Sequence, residues 1–293
     1  MNRGNLKLIL IAIFLVGIFI LLYPAISQYH NSFVQSQAVA DYDKLFINME
    51  NKDYSDIFAQ ADKYNQDLLN LDFPFLQYKQ LQNYSQLLNI NNDGMMGYIS
   101  IDKIKVEIPI YHGTSSSVLN VAVGHLEGSS LPIGGVSTHS VLSAHRGLPS
   151  ARLFTDLNKL EIGDIFEITI VDKKLTYQIN NISIIEPNDI SSLEIINNED
   201  YVTLLTCTPY GLNTHRLLVR GKRIENISDL KIYVTTEAFR INNLIVAPIV
   251  ASPIILTLVL IIMFKPVENK NNKIEDYLKI KKIKSAEVKK WKN

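Results

Sequence analysis

The sequence predicts a mainly β fold: a closed or nearly closed barrel, preceded by a helical segment and flanked by two transmembrane helices. Three observations carry this. Two long apolar stretches free of Asp, Glu, Lys and Arg lie towards the chain ends. Residues 27–92 show helical periodicity without a single glycine. From Gly94 onward, short β-rich runs alternate with Gly, Pro and Asn. The 293 residues are long enough for about two domains, and the 29 basic and 29 acidic residues balance, which argues against a nucleic-acid partner.

Leu8 to Ile26 is 19 residues without a formal charge, preceded by Arg3 and Lys7. At about 1.5 Å per residue it can cross a hydrocarbon core of about 30 Å. Ala25-Ile26-Ser27 also offers a small-x-small site, so the segment reads as an uncleaved anchor or a signal peptide. The run is longer than the usual signal core, which favours the anchor. Leu244 to Phe264, 21 residues with Pro248 and Pro253, reads as a second span kinked by its prolines. Lys265–Asn293 carries 10 lysines against four acids, a basic excess that marks the cytoplasmic side. Both termini are then cytoplasmic, and residues 27–243, with 17 basic and 25 acidic residues, are exported.

Within the exported part, Val39, Tyr42, Leu45, Phe46 and Met49 recur at helical spacing, and residues 27–92 predict two or three helices. Asn91-Asn92-Asp93-Gly94 is a turn signal. Strands are predicted at Gly97–Ile101, Lys105–Tyr111, Ser137–His145, Ile165–Val171, Leu175–Ile185, Tyr201–Cys207 and Arg216–Ile224, with one helix near Ser150–Lys159. Seven or eight short strands fit a barrel. The chain is thus divided into an N-terminus (1–7), a first span (8–26), a helical segment (27–92), a β domain (93–226), a linker (227–243), a second span (244–264) and a basic tail (265–293).

Cys207 is the only cysteine. It cannot form an intramolecular disulfide, so it is either a reactive thiol or a small buried hydrophobe. It ends an apolar strand, and Thr208-Pro209-Tyr210-Gly211 must leave the sheet because proline cannot donate to a ladder. Arg216 lies nine residues on and opens the next strand, so an antiparallel return brings its guanidinium alongside Cys207. The alternative is a solvated charge at a strand end. A nucleophilic thiol needs a cation or base, and acyl transfer needs donors for the oxyanion. Six histidines, His30, His112, His125, His139, His145 and His215, could supply the base, and spacing alone does not choose among them. A lone cysteine argues against a zinc site, and neither a P-loop nor a dinucleotide fingerprint is present, so no metal and no cofactor is expected.

Four blocks resemble the sortase family, and more closely its class C, the pilus-assembling members. They are Thr203-Leu-Leu-Thr-Cys207 with its continuation to Arg223, Ile108-Pro-Ile-Tyr-His-Gly113, Gly124-His-Leu-Glu-Gly-Ser-Ser-Leu-Pro132 and Ser143-Ala-His-Arg-Gly-Leu-Pro149. The resemblance implies an eight-stranded sortase barrel in which Cys207 is the nucleophile, His145 the proton-transfer partner and Arg216 the group that holds substrate and stabilises the oxyanion. It also implies a lid over the thiol at Leu71-Asp72-Phe73-Pro74-Phe75. Class C lids usually read Asp-Pro-aromatic, and the extra Phe73 leaves both Phe73 and Phe75 as candidates to cover Cys207. A helix-breaking turn with two buried aromatics is the plain alternative.

The expected function is a membrane-anchored cysteine transpeptidase. It cuts a Leu-Pro-x-Thr-Gly-type sorting signal between Thr and Gly and joins one pilin subunit to a lysine of the next. The thioester conserves the peptide-bond energy, so no nucleotide is required. The expected partners are pilins with C-terminal sorting signals and an acceptor lysine, and the lipid bilayer; nucleic acid is not among them. The rivals are a housekeeping sortase that attaches proteins to a cell-wall precursor, a cysteine endopeptidase in which water resolves the acyl-enzyme, and a non-catalytic peptide-binding module.

Overall fold

The computed structural model describes residues 3–47 and 53–226, together with Pro253 and Thr257. Apart from those two positions, the expected second span, the linker and the basic tail lie outside the described residues. The described residues from Tyr23 to Asn226 belong to one compact unit, and the first part of the N-terminal helix, up to Leu22, belongs to another.

Helix α1 runs from Arg3 to Ile47. It does not end with the apolar stretch at Ile26. No formal charge interrupts it between Lys7 and Asp41, and Pro24 is accommodated inside it. Its segment Ile11–Phe46 has a mean hydropathy of 2.2 in its most apolar window, and it is the one helix among the described residues long and apolar enough to cross a membrane. Ile13, Phe19 and Ile20 are exposed along it. From Ala25 on, a different face turns inward: Ala25, Val39 and Tyr42 are buried, at the spacing of one helix stripe. The Tyr42 hydroxyl donates to Met96 O at 2.8 Å and accepts from Val171 N at 2.8 Å, which fixes α1 to the barrel.

Helix α2 (Ser55–Leu69) buries Ala61, Tyr64, Asn65 and Leu68. Asn65 ties it to the barrel with both ends of its amide, donating to Leu131 O at 3.2 Å and accepting from Leu131 N at 2.7 Å. A one-turn helix, α3 (Pro74–Gln77), starts on proline, whose missing N–H costs nothing at that position.

The barrel strands are β1 (Met95–Ile101), β2 (Val106–His112), β3 (Val123–His125), β4 (Thr138–Ser143), β5 (Ile165–Ile170), β6 (Lys173–Ile185), β7 (Asp200–Thr208) and β8 (His215–Ile224). They close in the order β1-β2-β3-β4-β7-β8-β6-β5. Closure leaves no free edge. The β2–β3 and β4–β7 pairs are parallel and the others antiparallel. The eight-stranded barrel with short helices and an N-terminal helix is as expected, and β3 is the strand absent from the expectation. Three residues are too short to show an alternation.

The helix expected near Ser150–Lys159 is not formed. Its backbone N–H groups bond three residues back, as in Thr155 N to Arg152 O and Leu157 N to Phe154 O, leaving turns and a single 3₁₀ turn at Leu157–Lys159. Leu153 has φ +38°, which no α-helix accepts. Ala151, Leu153, Phe154, Leu157 and Leu160 are all buried in the main core, so their helix-like spacing reflects packing into the barrel and not a helix face.

Candidate active site

Two faces of one sheet set the site. Val202, Leu204, Leu217 and Val219 belong to the main core. Their neighbours in sequence, Leu205 and Leu218, instead join Val141 and Leu193 in a second, small apolar cluster on the other face of β4, β7 and β8. Residues directly opposite on paired strands share a face, so this outer face is built in rows. His139 faces Tyr201, which faces Lys222. Val141 faces Thr203, which faces Arg220. Ser143 faces Leu205, which faces Leu218. The last row pairs Cys207 with Arg216, and Arg216 with Ile185 of β6. The thiol and the guanidinium are therefore cross-strand neighbours at the rim, and both side chains are half-buried.

His145 leaves β4 at the same level. The parallel ladder ends at Ser143 opposite Leu205, continues with Ala144 N donating to Leu205 O at 3.1 Å, and is closed by Thr206 Oγ1 donating to Ala144 O at 2.7 Å. One residue further on each strand stand His145 and Cys207. The β4 end thus flanks the thiol on one side and β8 flanks it on the other. Arg146 fastens this arrangement. Its Nη1 donates to Thr208 Oγ1 at 3.1 Å and its Nε to Thr155 O at 3.3 Å. Gly147, at φ +77°, leaves room for the Tyr210 ring, which a Cβ there would meet at 2.7 Å. The Arg216 guanidinium donates to Asn213 O at 3.2 Å and His215 O at 3.1 Å, which holds it to the β7–β8 turn.

Above the apolar row lies the segment expected to form a lid. Phe75 packs on the Val141, Leu193 and Leu218 cluster. Its Cα would be only 2.9 Å from a Cβ at Gly128, whose φ is +90°. Phe73 is 63% exposed and Asp72 is exposed, and among the described residues no ion pair joins Asp72 to Arg216. A cavity of about 330 Å³ lies beside this segment, lined by Leu71, Phe73, Phe75, Leu76, Ile190 and Leu193 among others.

The remaining histidines stand elsewhere. His125 and His139 are fully buried, and burial lowers both to about 4. His125 sits between the Tyr84 hydroxyl and Ser130 O, each at 2.8 Å, and His139 between Thr203 Oγ1 at 2.7 Å and Glu194 O at 2.8 Å. His112 faces the carbonyls of Gly94 and Leu87. His215 lies 3.2 Å from Glu186. His30 lies exposed on α1. Two of the six stand within a residue of the Cys207 row: His145, where β4 ends beside β7, and His215, opposite Thr208 on β8. Arg146 and Tyr210 lie within the quoted blocks and Thr155 outside them, but no spacing in the sequence announces the contacts these three make around His145.

The model of the Sortase domain matches residues 99–224. Sortase C1 of Streptococcus agalactiae is 48% identical to this chain, with a TM-score of 0.59 over 65% of this chain and 99% of that one. The chain is a class C sortase. Clostridium perfringens sortase C, solved with the C-terminal cell wall sorting motif, is 44% identical, with a TM-score of 0.57 over 65% of this sortase and 100% of that chain. The sortase spans between 40% and 63% of the length of the curated relatives it matches, among them sortase D of Bacillus subtilis, 30% identical over 44% of this chain and 63% of that protein. It belongs to a family of cysteine transpeptidases.

Proposed function

We propose that this sortase polymerises pilins, with Cys207 as nucleophile, His145 as proton-transfer group and Arg216 as oxyanion and substrate holder. The observation that carries the reading is the shared rim level of the three residues: Cys207 directly opposite Arg216, and His145 one residue beyond the ladder that joins β4 to β7. The Cys207 thiolate attacks the Thr carbonyl of a Leu-Pro-x-Thr-Gly-type signal. The Thr–Gly bond breaks, and His145 gives its proton to the departing glycine amine. A lysine amine of the next pilin then attacks the thioester, passes a proton back to His145 and restores the thiolate, so that one amide replaces another without nucleotide.

The apolar part of α1 anchors the enzyme in the bilayer, residues 27–92 carry the lid and residues 93–226 the catalytic barrel. Phe75, rather than Phe73, is the lid's closing side chain. It packs on the apolar row next to the Cys207 row, whereas Phe73 is exposed. The relative solved with a cell wall sorting motif supports a sorting signal as substrate.

The test incubates the full chain in detergent micelles with a pilin carrying a sorting signal. Covalent multimers are expected, along with an enzyme species heavier by the acyl part of the cleaved signal. Cys207→Ala should abolish both, and Arg216→Ala should slow acyl transfer by about 10²–10³-fold. Cleavage with no multimers in the presence of pilin lysines would favour the endopeptidase reading, and multimers formed by Cys207→Ala would overturn the assignment.

A further inference from the structure

We propose that Gln28 and Asn31 of α1 are positioning residues for His145, acting through the loop that follows it; this rests on His145 being the proton-transfer group. The loop is closed at its base within the barrel. Phe154 N donates to His145 O at 3.2 Å and Gly147 N to Thr155 Oγ1 at 3.0 Å. Its far part is held from outside. Gln28 Nε2 donates to Pro149 O at 3.2 Å, and Asn31 Nδ2 donates to Ser150 O at 2.8 Å. Among the described residues these are the only hydrogen bonds to those two carbonyls.

The two amides come from one helix face. Gln28 and Asn31 are three residues apart and therefore neighbours on the helix surface. Gln35, Val39 and Tyr42 continue the same stripe, and Ile26, Tyr29 and Phe33 are exposed on the opposite side. The stripe is fixed in turn, because the Tyr42 hydroxyl bridges Met96 O of β1 and Val171 N just after β5. The amides are thus a rigid reference set against a loop that bends at two positive-φ residues, Gly147 and Leu153. Released from α1, the loop between these bends keeps its base contacts, the core packing of Leu148 and Ala151 and the Arg152–Asp156 bond, but its Pro149–Ser150 apex loses both of its bonds, and the His145 backbone at the base follows the shift of that apex. Proton transfer requires the imidazole within hydrogen-bond reach of both the thiol and the leaving amine, and a displacement of about 1 Å can cost about 100-fold.

The experiment uses the full chain in lipid nanodiscs and steady-state cleavage of a sorting peptide. The double variant Gln28→Met with Asn31→Leu keeps side-chain volume and removes both donors. Its kcat should fall by between about 10- and 100-fold while KM stays close to that of the parent, because the change acts on the chemical step and not on binding. Gln35→Met is the structural comparison. It removes another bond from the same face, Gln35 Nε2 to Val121 O at 2.6 Å, at the turn ahead of β3. That variant should keep the parental kcat, and in a His145→Ala background the double variant should cause no further loss. If the double variant does not fold, Asn31→Asp, which preserves shape and removes the donor, is read by the same criteria. A parental kcat in the double variant, or a fall equal to that of Gln35→Met, overturns the inference while leaving the role of His145 standing. Parental cleavage by His145→Ala overturns both.

Discussion

Arg146 stands between the candidate base and the candidate nucleophile in the chain of hydrogen bonds, although its own side chain points at neither. Its guanidinium spans Thr208, the residue after Cys207, and Thr155, which also receives Gly147 N. A lysine ammonium gathers its donors on a single nitrogen and cannot reproduce the separated positions from which Nη1 and Nε reach these two acceptors. Arg146→Ala and Arg146→Lys should therefore both lower peptide cleavage, alanine by roughly tenfold or more through misplacement of the reacting groups, with the loss mainly in kcat. Steady-state kinetics of the two variants check this, and parental kcat in Arg146→Lys would show that a charge alone suffices. The contrast with Cys207 and Arg216 explains what is readable at this scale. Their pairing follows from a nine-residue return between strands, a local and countable constraint. Arg146 meets Thr208 across 62 residues of chain, and no spacing rule reaches that far.

Among the elements, the strands were legible because alternation and Gly, Pro and Asn punctuation are local signals, and β7 and β8 appear within a residue of their expected ends. Residues 151–160 misled because a segment that plugs the barrel puts apolar side chains at helix-like intervals while its backbone makes turns. Residues 71–77 carry the element-scale prediction. Phe75 covers the apolar row beside Cys207, whereas Phe73 is 63% exposed and, among the described residues, no ion pair joins Asp72 to Arg216. Opening of this segment should limit access to the thiol, so Phe75→Ala should raise the rate at which a small thiol reagent alkylates Cys207 by increasing the open population. Phe73→Ala and Asp72→Ala should leave the rate unchanged. Stopped-flow alkylation of the three variants decides it: equal rates throughout would mean that the segment is a packed turn and not a lid.

At the scale of the whole molecule, two neutral histidines tie barrel stability to pH. His125 donates from Nε2 to Ser130 O and accepts at Nδ1 from the Tyr84 hydroxyl, and His139 donates from Nδ1 to Glu194 O and accepts at Nε2 from Thr203. Each ring is satisfied as the neutral form, and burial lowers each to about 4 from an ordinary 6.5. As pH falls through 6.5 the unfolded chain takes up these protons while the folded chain does not, so stability is complete above 6.5 and is lost progressively down to about 4. Each histidine sets a slope of at most about 1.4 kcal/mol per pH unit in that window. Glu107 and Asp200 work the other way. Burial raises both carboxyls, so the folded chain holds their protons more tightly and gains stability as pH falls through their raised values. Asp156 and Asp164, held low against the opposing effect of burial by their lysine and arginine partners, act with the histidines at the acid end, so the net slope is a balance of these groups and substitution is needed to isolate the imidazoles. Denaturation midpoints of the full chain in detergent between pH 4 and 7 should decline towards acid. His139→Gln and His125→Gln, neutral at every pH, should each flatten that decline by removing one proton from the difference between states, whatever their effect on the midpoint at pH 7. An undiminished slope in both variants would place the acid sensitivity on other groups and leave the buried imidazoles without a part in it.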